Sequence, residues 1–161
     1  MTDICTKIIL ALKENGLTIA TAESCTGGLI GKSLTDISGA SSVYWGGVIS
    51  YDNSVKENVL GVKKETLDTL GAVSYDTACQ MAIGVKSLLK TDIGISTTGI
   101  AGPGGGTPQK PVGTVYVAIA DKDGVEGGLL SINPKLSRDE IRKEAAMRLL
   151  DMTYKKILEK Y

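Results

Sequence analysis

Histidine is absent from this chain of 161 residues. Its absence removes the usual base for a serine or cysteine nucleophile and the commonest metal ligand. Phenylalanine is missing too, and tryptophan occurs once. The core must therefore be built mainly from aliphatic side chains. At 42% hydrophobic residues there is enough apolar material for one core, and a single domain over 1–161 is expected. Net charge is also lacking, with 18 basic and 18 acidic residues. That balance argues against a broad nucleic-acid surface, although it leaves room for a small basic pocket around one phosphate. The three cysteines, Cys5, Cys25 and Cys79, are odd in number and have no paired spacing. They suit a reducing cytosol rather than a disulfide framework. No apolar run is long enough to span a bilayer. In the first residues, "MTDICTKIILALKENG", charges interrupt apolar positions at helical spacing, unlike a signal peptide. A soluble cytoplasmic protein with no membrane partner is expected.

Glycine, by contrast, is abundant at 20 residues, clustered at 27–28, 46–47, 99–106 and 124–128. Clusters of this kind mark loops where backbone approaches backbone or ligand. Between them the pattern alternates. Ile4, Ile8, Ala11 and Leu12 share one helical face, and "LTIATA" (17–22) reads as a short buried strand. A helix is predicted from Gly27 to about Ile37, and a strand over 42–51. Asn53 is expected to cap a short helix, and "KKETLDTLG" forms another. Ser74 is expected to cap a longer helix with an apolar stripe of Ala78, Met81, Ala82, Val85, Leu88 and Leu89. "DIGISTTGI" (92–100) is a strand, and two further strands around "KDG" form a hairpin. A final helix runs from about Ser137, with Ile141, Ala145, Leu149 and Met152 inward. Helix–strand alternation broken by one hairpin predicts an α/β fold, a three-layer α/β/α sandwich around a mixed, mostly parallel sheet. Ligands in such folds gather at the carboxyl ends of strands.

Two glycine-rich segments follow strands. In "TAESCTGG" (21–28), Ser24 and Cys25 are adjacent potential nucleophiles on a strand–turn–helix elbow. The helix start behind them offers free N–H groups to an anion. Ser24 or Thr26 would serve equally as a plain helix cap. "TGIAGPGGGTPQKP" is neither a Walker A loop nor a dinucleotide fingerprint, because the Gly-Lys-Ser/Thr ending and the glycine spacing are missing. Its backbone N–H groups can still face a phosphate or an oxyanion, or it can be a long surface connection. In "GGVISYDNSVK", Tyr51 ends a strand and Lys56 lies in the first turn of the next helix, the unfavourable end for a cation. A partly buried lysine there would hold a depressed pKa and act as a base; an exposed one would be an ordinary surface lysine. Arg138 and Arg142 share one face of the last helix, where Arg142 can clamp a phosphate bidentately or the pair can simply meet surface carboxylates. One cysteine beside one glutamate is no metal-ligand set, so no metal is expected.

In order along the chain, "TAESCTGG", "GGVISYDNSVKENVLGV", "GAVS", "TGIAGPGGG", "KPVGTVYVA" and "RDEIR" resemble the CinA C-terminal-domain family, whose stand-alone members include nicotinamide-nucleotide amidases. The resemblance implies an amidohydrolase that converts nicotinamide mononucleotide to nicotinate mononucleotide and ammonia, without a cofactor, commonly as a homodimer. It is similar to serine–lysine hydrolases. Ser24 is then the candidate nucleophile, Lys56 the candidate base, and Tyr51 a residue that relays or positions the proton. Glu23, Cys25, Thr26, Gly27 and Gly28 would surround the substrate. Thr98, Gly99, Gly102, Gly104 and Gly105 would cradle it or its oxyanion, and Arg142 would hold the phosphate. The family often has Gly-Asp before the first arginine of the last helix, where this chain has Leu136 and Ser137. Larger members carry an N-terminal domain similar to molybdopterin-binding proteins, for which this chain is expected to have no room. The alternative reading is a nucleotide-binding regulatory module without chemistry. Phosphoryl transfer lacks both a P-loop and a magnesium carboxylate cluster.

Overall fold

The computed structural model describes all residues 1–161. In chain order it contains α1 (Thr2–Glu14), β1 (Ile19–Glu23), α2 (Leu29–Thr35), β2 (Tyr44–Ile49), α3 (Asn53–Asn58), α4 (Lys64–Thr69), α5 (Tyr75–Leu89), β3 (Ile93–Gly99), β4 (Thr114–Asp121), β5 (Gly124–Ser131) and α6 (Arg138–Lys160). The five strands form one sheet in the order β2-β1-β3-β4-β5. β1 lies parallel to both β2 and β3, whereas β4 is antiparallel to β3 and β5. Four strands therefore run one way and β4 alone opposes them, as the hairpin pattern predicts.

Alternation along the strands assigns each face its layer. Ile19, Ile93, Ile95, Val115, Val117 and Ile119 point into a core of 27 buried residues shared with α1, α2 and α6. The opposite face carries small residues. Ala20 and Ala22 pack with Leu60, Val62, Leu67, Met81 and Val85, and Ala118 and Ala120 pack with Ala78 and Ala82 of α5. Small side chains let α5 lie close to the sheet. Ser96 Oγ donates to the Ala78 carbonyl at 2.6 Å, and a Cβ at Gly94 would strike the Ala82 carbonyl.

Gly84 of α5 makes a similarly close contact with the segment after α3, where a Cβ would collide with the carbonyl of Leu60. Alanine favours helix over glycine by about 1 kcal/mol, but here the obstacle is backbone. Gly84→Ala is therefore expected to destabilise by about 1–3 kcal/mol, read as a lower urea midpoint at unchanged m value. A midpoint equal to or above the wild type would contradict this packing.

Three local expectations change. α2 begins at Leu29 rather than Gly27, because Gly27 and Gly28 have φ of 59° and 98°, outside the right-handed helical region. α3 is capped by Asp52, whose side chain accepts from Ser54 N–H; Asn53 is already the first helical residue. Leu88, expected on the buried stripe of α5, is half-exposed. Ser74 does cap α5, accepting from Thr77 N–H. Ser137 caps α6 in a reciprocal box with Glu140.

Candidate active site

β1 and β3 are parallel neighbours, with Glu23 opposite Thr97. The segments that leave their carboxyl ends therefore start side by side. Ser24 N–H continues the pairing by donating to the Thr97 carbonyl at 3.0 Å. A cleft of about 250 Å³ opens here. Ser24, Cys25, Tyr51, Lys56 and Thr98 line it, with Gly99 at the end of β3, Gly102, Gly104 and Gly105 from the loop that follows, Ala72 and Val73 before α5, and Arg138 of α6. The elbow, the glycine-rich loop and the start of α3 thus converge, as strand-end topology suggests.

Lys56 is the decisive side chain. It is 1% exposed, and its Nζ lies 3.0 Å from Ser24 Oγ, 2.6 Å from the Ser50 carbonyl and 3.4 Å from the Tyr51 carbonyl. All three partners are neutral oxygens. Burial pushes the amine below the ordinary lysine range, while Cys25 and Asp52 oppose that shift. Burial is the condition on which the sequence-based expectation rested, whereas the helix end contributes little, because Lys56 lies in the last turn of α3. α3 is only six residues long, so its dipole separates the ends poorly; loss of water accounts for the depression. A neutral amine has two N–H donors and one lone pair. Lys56 Nζ donates to Ser24 Oγ and to both carbonyls; on losing a proton it would keep two donors for the carbonyls and turn its lone pair to the Ser24 hydroxyl.

Ser24 and Cys25 face different surroundings. β1 continues to Glu23, and the alternation places Ser24 on the Lys56 side. Cys25 packs into the larger core. Burial pushes its thiol up to about 11, the opposite of what a reactive cysteine requires. Tyr51 is 63% exposed, and its hydroxyl accepts from Arg138 Nη2 at 2.9 Å. Arg138 Nη1 donates to the Gly102 carbonyl at 2.7 Å. Thr98 Oγ1 is turned to the Ala72 carbonyl at 2.6 Å. The N–H groups of Cys25, Thr26, Ala101, Gly102, Gly104 and Gly105 donate to no other protein group.

Several residues expected around the substrate do not line this cleft. Glu23 is 2% exposed and lies outside the cleft. Its carboxylate accepts from Ile30 N–H and Gly31 N–H, both at 2.9 Å, and from Thr26 Oγ1 at 2.7 Å. It caps α2 from the strand before the turn, in place of Ser24 or Thr26, the alternative the sequence left open. Thr26 is fully buried between Glu23 and Thr97. Gly27 and Gly28 make the left-handed turn and do not line the cleft. Arg142 also lies outside it, donating from Nε to the Cys25 carbonyl at 3.1 Å and from Nη2 to the Thr26 carbonyl at 2.8 Å. Its neighbour one turn earlier, Arg138, supplies the cleft's guanidinium. Both share a helix face, so sequence spacing could not rank them.

Comparison with known proteins places the chain. The family model for the CinA C-terminal domain matches residues 1–157. A CinA-like protein of Trichormus variabilis is 52% identical over 148 residues, 91% of this chain and 36% of that protein. The chain thus spans about a third of the length of the curated relatives it matches, 36% in the cases compared. Among solved structures, the competence/damage inducible protein CihA of Agrobacterium tumefaciens superposes with a TM-score of 0.91 at 42% identity, covering 94% of this chain and 92% of that one. The competence damage-inducible protein A of Klebsiella pneumoniae gives 0.95 at 29% identity, covering 99% and 98%. With nearly the whole chain matched in both sequence and fold, this protein belongs to the CinA C-terminal domain family.

Proposed function

We propose that this protein hydrolyses the carboxamide of nicotinamide mononucleotide, releasing ammonia and nicotinate mononucleotide. One observation carries the reading: a buried lysine with no carboxylate partner, 3.0 Å from a serine hydroxyl at the edge of a cleft. Ser24 Oγ attacks the carboxamide carbon while Lys56 Nζ takes its proton. The carbonyl π pair moves onto oxygen, and free backbone N–H groups at Cys25 and in the 101–105 loop stabilise that oxyanion. Collapse of the intermediate expels the amide nitrogen, which leaves as ammonia after receiving the proton from Lys56. Water then attacks the acyl-enzyme as Lys56 takes its proton, freeing the acid and restoring Ser24.

Within this mechanism Arg138 holds the phosphate. It is the cleft's guanidinium, and its contacts to Tyr51 Oη and the Gly102 carbonyl aim it across the opening. Tyr51 orients that guanidinium. Arg138→Ala is expected to raise KM for the mononucleotide by about tenfold or more and to erase its advantage over the unphosphorylated riboside. An unchanged preference would remove Arg138 from this role. Ammonia release by the purified protein tests the activity itself. A chelator is expected to leave the rate intact, and a protein that binds the mononucleotide without releasing ammonia would be a regulatory module instead.

A further inference from the structure

The three peptide groups after Ser24 are held in three different ways. The Ser24 carbonyl accepts from Gly27 N–H at 3.1 Å, and the Thr26 carbonyl accepts from Leu29 N–H at 3.1 Å as well as from Arg142. The Cys25 carbonyl accepts from Arg142 Nε alone. A trans peptide is planar, with its N–H opposed to its C=O. Whatever holds the Cys25 carbonyl therefore also aims Thr26 N–H. Only Arg142 does so, from behind the elbow and outside the cleft. Gly27 leaves space for it: a Cβ there would lie 3.2 Å from Arg142 Nη2.

We infer that Arg142 is a positioning residue for acyl transfer: by gripping the Cys25 and Thr26 carbonyls it fixes the turn that follows Ser24, and with it the seating of Ser24 Oγ against Lys56 and of the Cys25 N–H at the oxyanion. This rests on the proposed chemistry at Ser24 and assigns Arg142 no contact with substrate. Two arginines one turn apart on α6 then divide the work. Arg138 faces the substrate, and Arg142 holds the backbone that serves the transition state. A planar guanidinium suits two adjacent carbonyls because its N–H donors diverge in one plane. A lysine ammonium reaches one carbonyl well and the other poorly.

The test uses the full chain with Arg142→Met and Arg142→Lys, each first checked for a native circular dichroism spectrum. Two readouts are compared: steady-state kinetics on the mononucleotide and the riboside, and the rate at which an alkyl fluorophosphonate labels Ser24. Arg142→Met is expected to lower kcat on the order of 10²-fold, the scale of a lost oxyanion donor, with KM within about threefold. The preference for the mononucleotide should persist, labelling should slow in parallel, and Arg142→Lys should recover part of both rates. A raised KM at unchanged kcat, with lost phosphate preference, would overturn the inference and return Arg142 to phosphate binding. Wild-type kcat and labelling in Arg142→Met would overturn it as well. Should Met misfold, Lys carries the same comparison. If the wild type labels but releases no ammonia, the amidase reading fails while labelling still decides the role of Arg142. If it does neither, both fall.

Discussion

Ser24→Ala is expected to lower kcat by about 10⁴–10⁶-fold while substrate affinity stays within a few-fold. The hydroxyl is the only nucleophile within reach of the Lys56 amine, 3.0 Å away, and alanine removes it without disturbing the strand that carries it. Binding should survive because the cleft's other walls come from the 99–105 loop, the segment before α5, and Arg138. Calorimetric titration with the mononucleotide separates the two quantities. Cys25→Thr makes the matching control. Its thiol is pushed up to about 11 by burial, so little thiolate exists at neutral pH. Cys25→Thr should therefore keep most of the activity. Quenched intact-protein mass spectrometry should show the acyl adduct on the peptide containing Ser24 in both wild type and Cys25→Thr. Loss of adduct and turnover in Cys25→Thr, with Ser24 and the fold intact, would make this a cysteine amidase.

Lys56→Ala and Lys56→Arg are expected to fail alike, by about 10²–10⁴-fold in kcat. Guanidinium stays protonated at any working pH and cannot accept the serine proton. Near-normal turnover in Lys56→Arg would show that the site uses charge rather than basicity. In the wild type, kcat/KM should fall on the acidic side as the amine protonates, at a pKa below the ordinary lysine range. Stability should follow the same group. With the folded-state pKa depressed, the unfolded chain binds more protons between that value and the ordinary one. Stability then rises with pH through this window and is lower below it. Lys56→Met, which keeps the length and drops the charge, is expected to melt above the wild type. The margin should be widest at low pH and close as pH approaches the ordinary lysine value. A margin independent of pH would mean that the wild-type amine is not titrating there. An inactive yet more stable Lys56→Met would place this lysine among residues retained for chemistry at a cost to the fold.

Much of this architecture was legible before the structure. The 3.6-residue periodicity of Ile4, Ile8 and Leu12, the apolar run "LTIATA", and the hairpin around "KDG" are local signals. Burial merely executes them: Ile8 and Leu12 are fully buried, and β4 and β5 pair through Asp121 and Gly124. The two glycine-rich segments stood out because long loops after strands have few structural uses. The ordered motifs brought Ser24, Lys56 and Tyr51 forward together. Other features depend on contacts far apart in sequence. Glu23 caps a helix that begins across a left-handed turn, with Ile30 N–H seven residues away. No short capping pattern encodes that. The Lys56 depression comes from lost water, a property of its surroundings rather than of its place in α3.

The division is sharpest at the two arginines. By itself the sequence determined that α6 carries Arg138 and Arg142 one turn apart on one face, since helical period alone sets that relation. It also determined that an elbow with a serine and a loop rich in glycine each follow a strand of an α/β sheet, while the adjacency of those two strands, β1 and β3, came from the tertiary structure. Only the tertiary structure decided that Arg138 meets the cleft at Gly102 and Tyr51 while Arg142 passes behind the elbow to Cys25 and Thr26. A one-turn offset moves a side chain about 5 Å along the helix axis, enough to put one guanidinium in the cleft and the other behind the wall. Which one goes where is set by how α6 docks on α1 and α2 through the buried faces of Ile141, Ala145 and Leu149, and no local pattern in the chain records that docking.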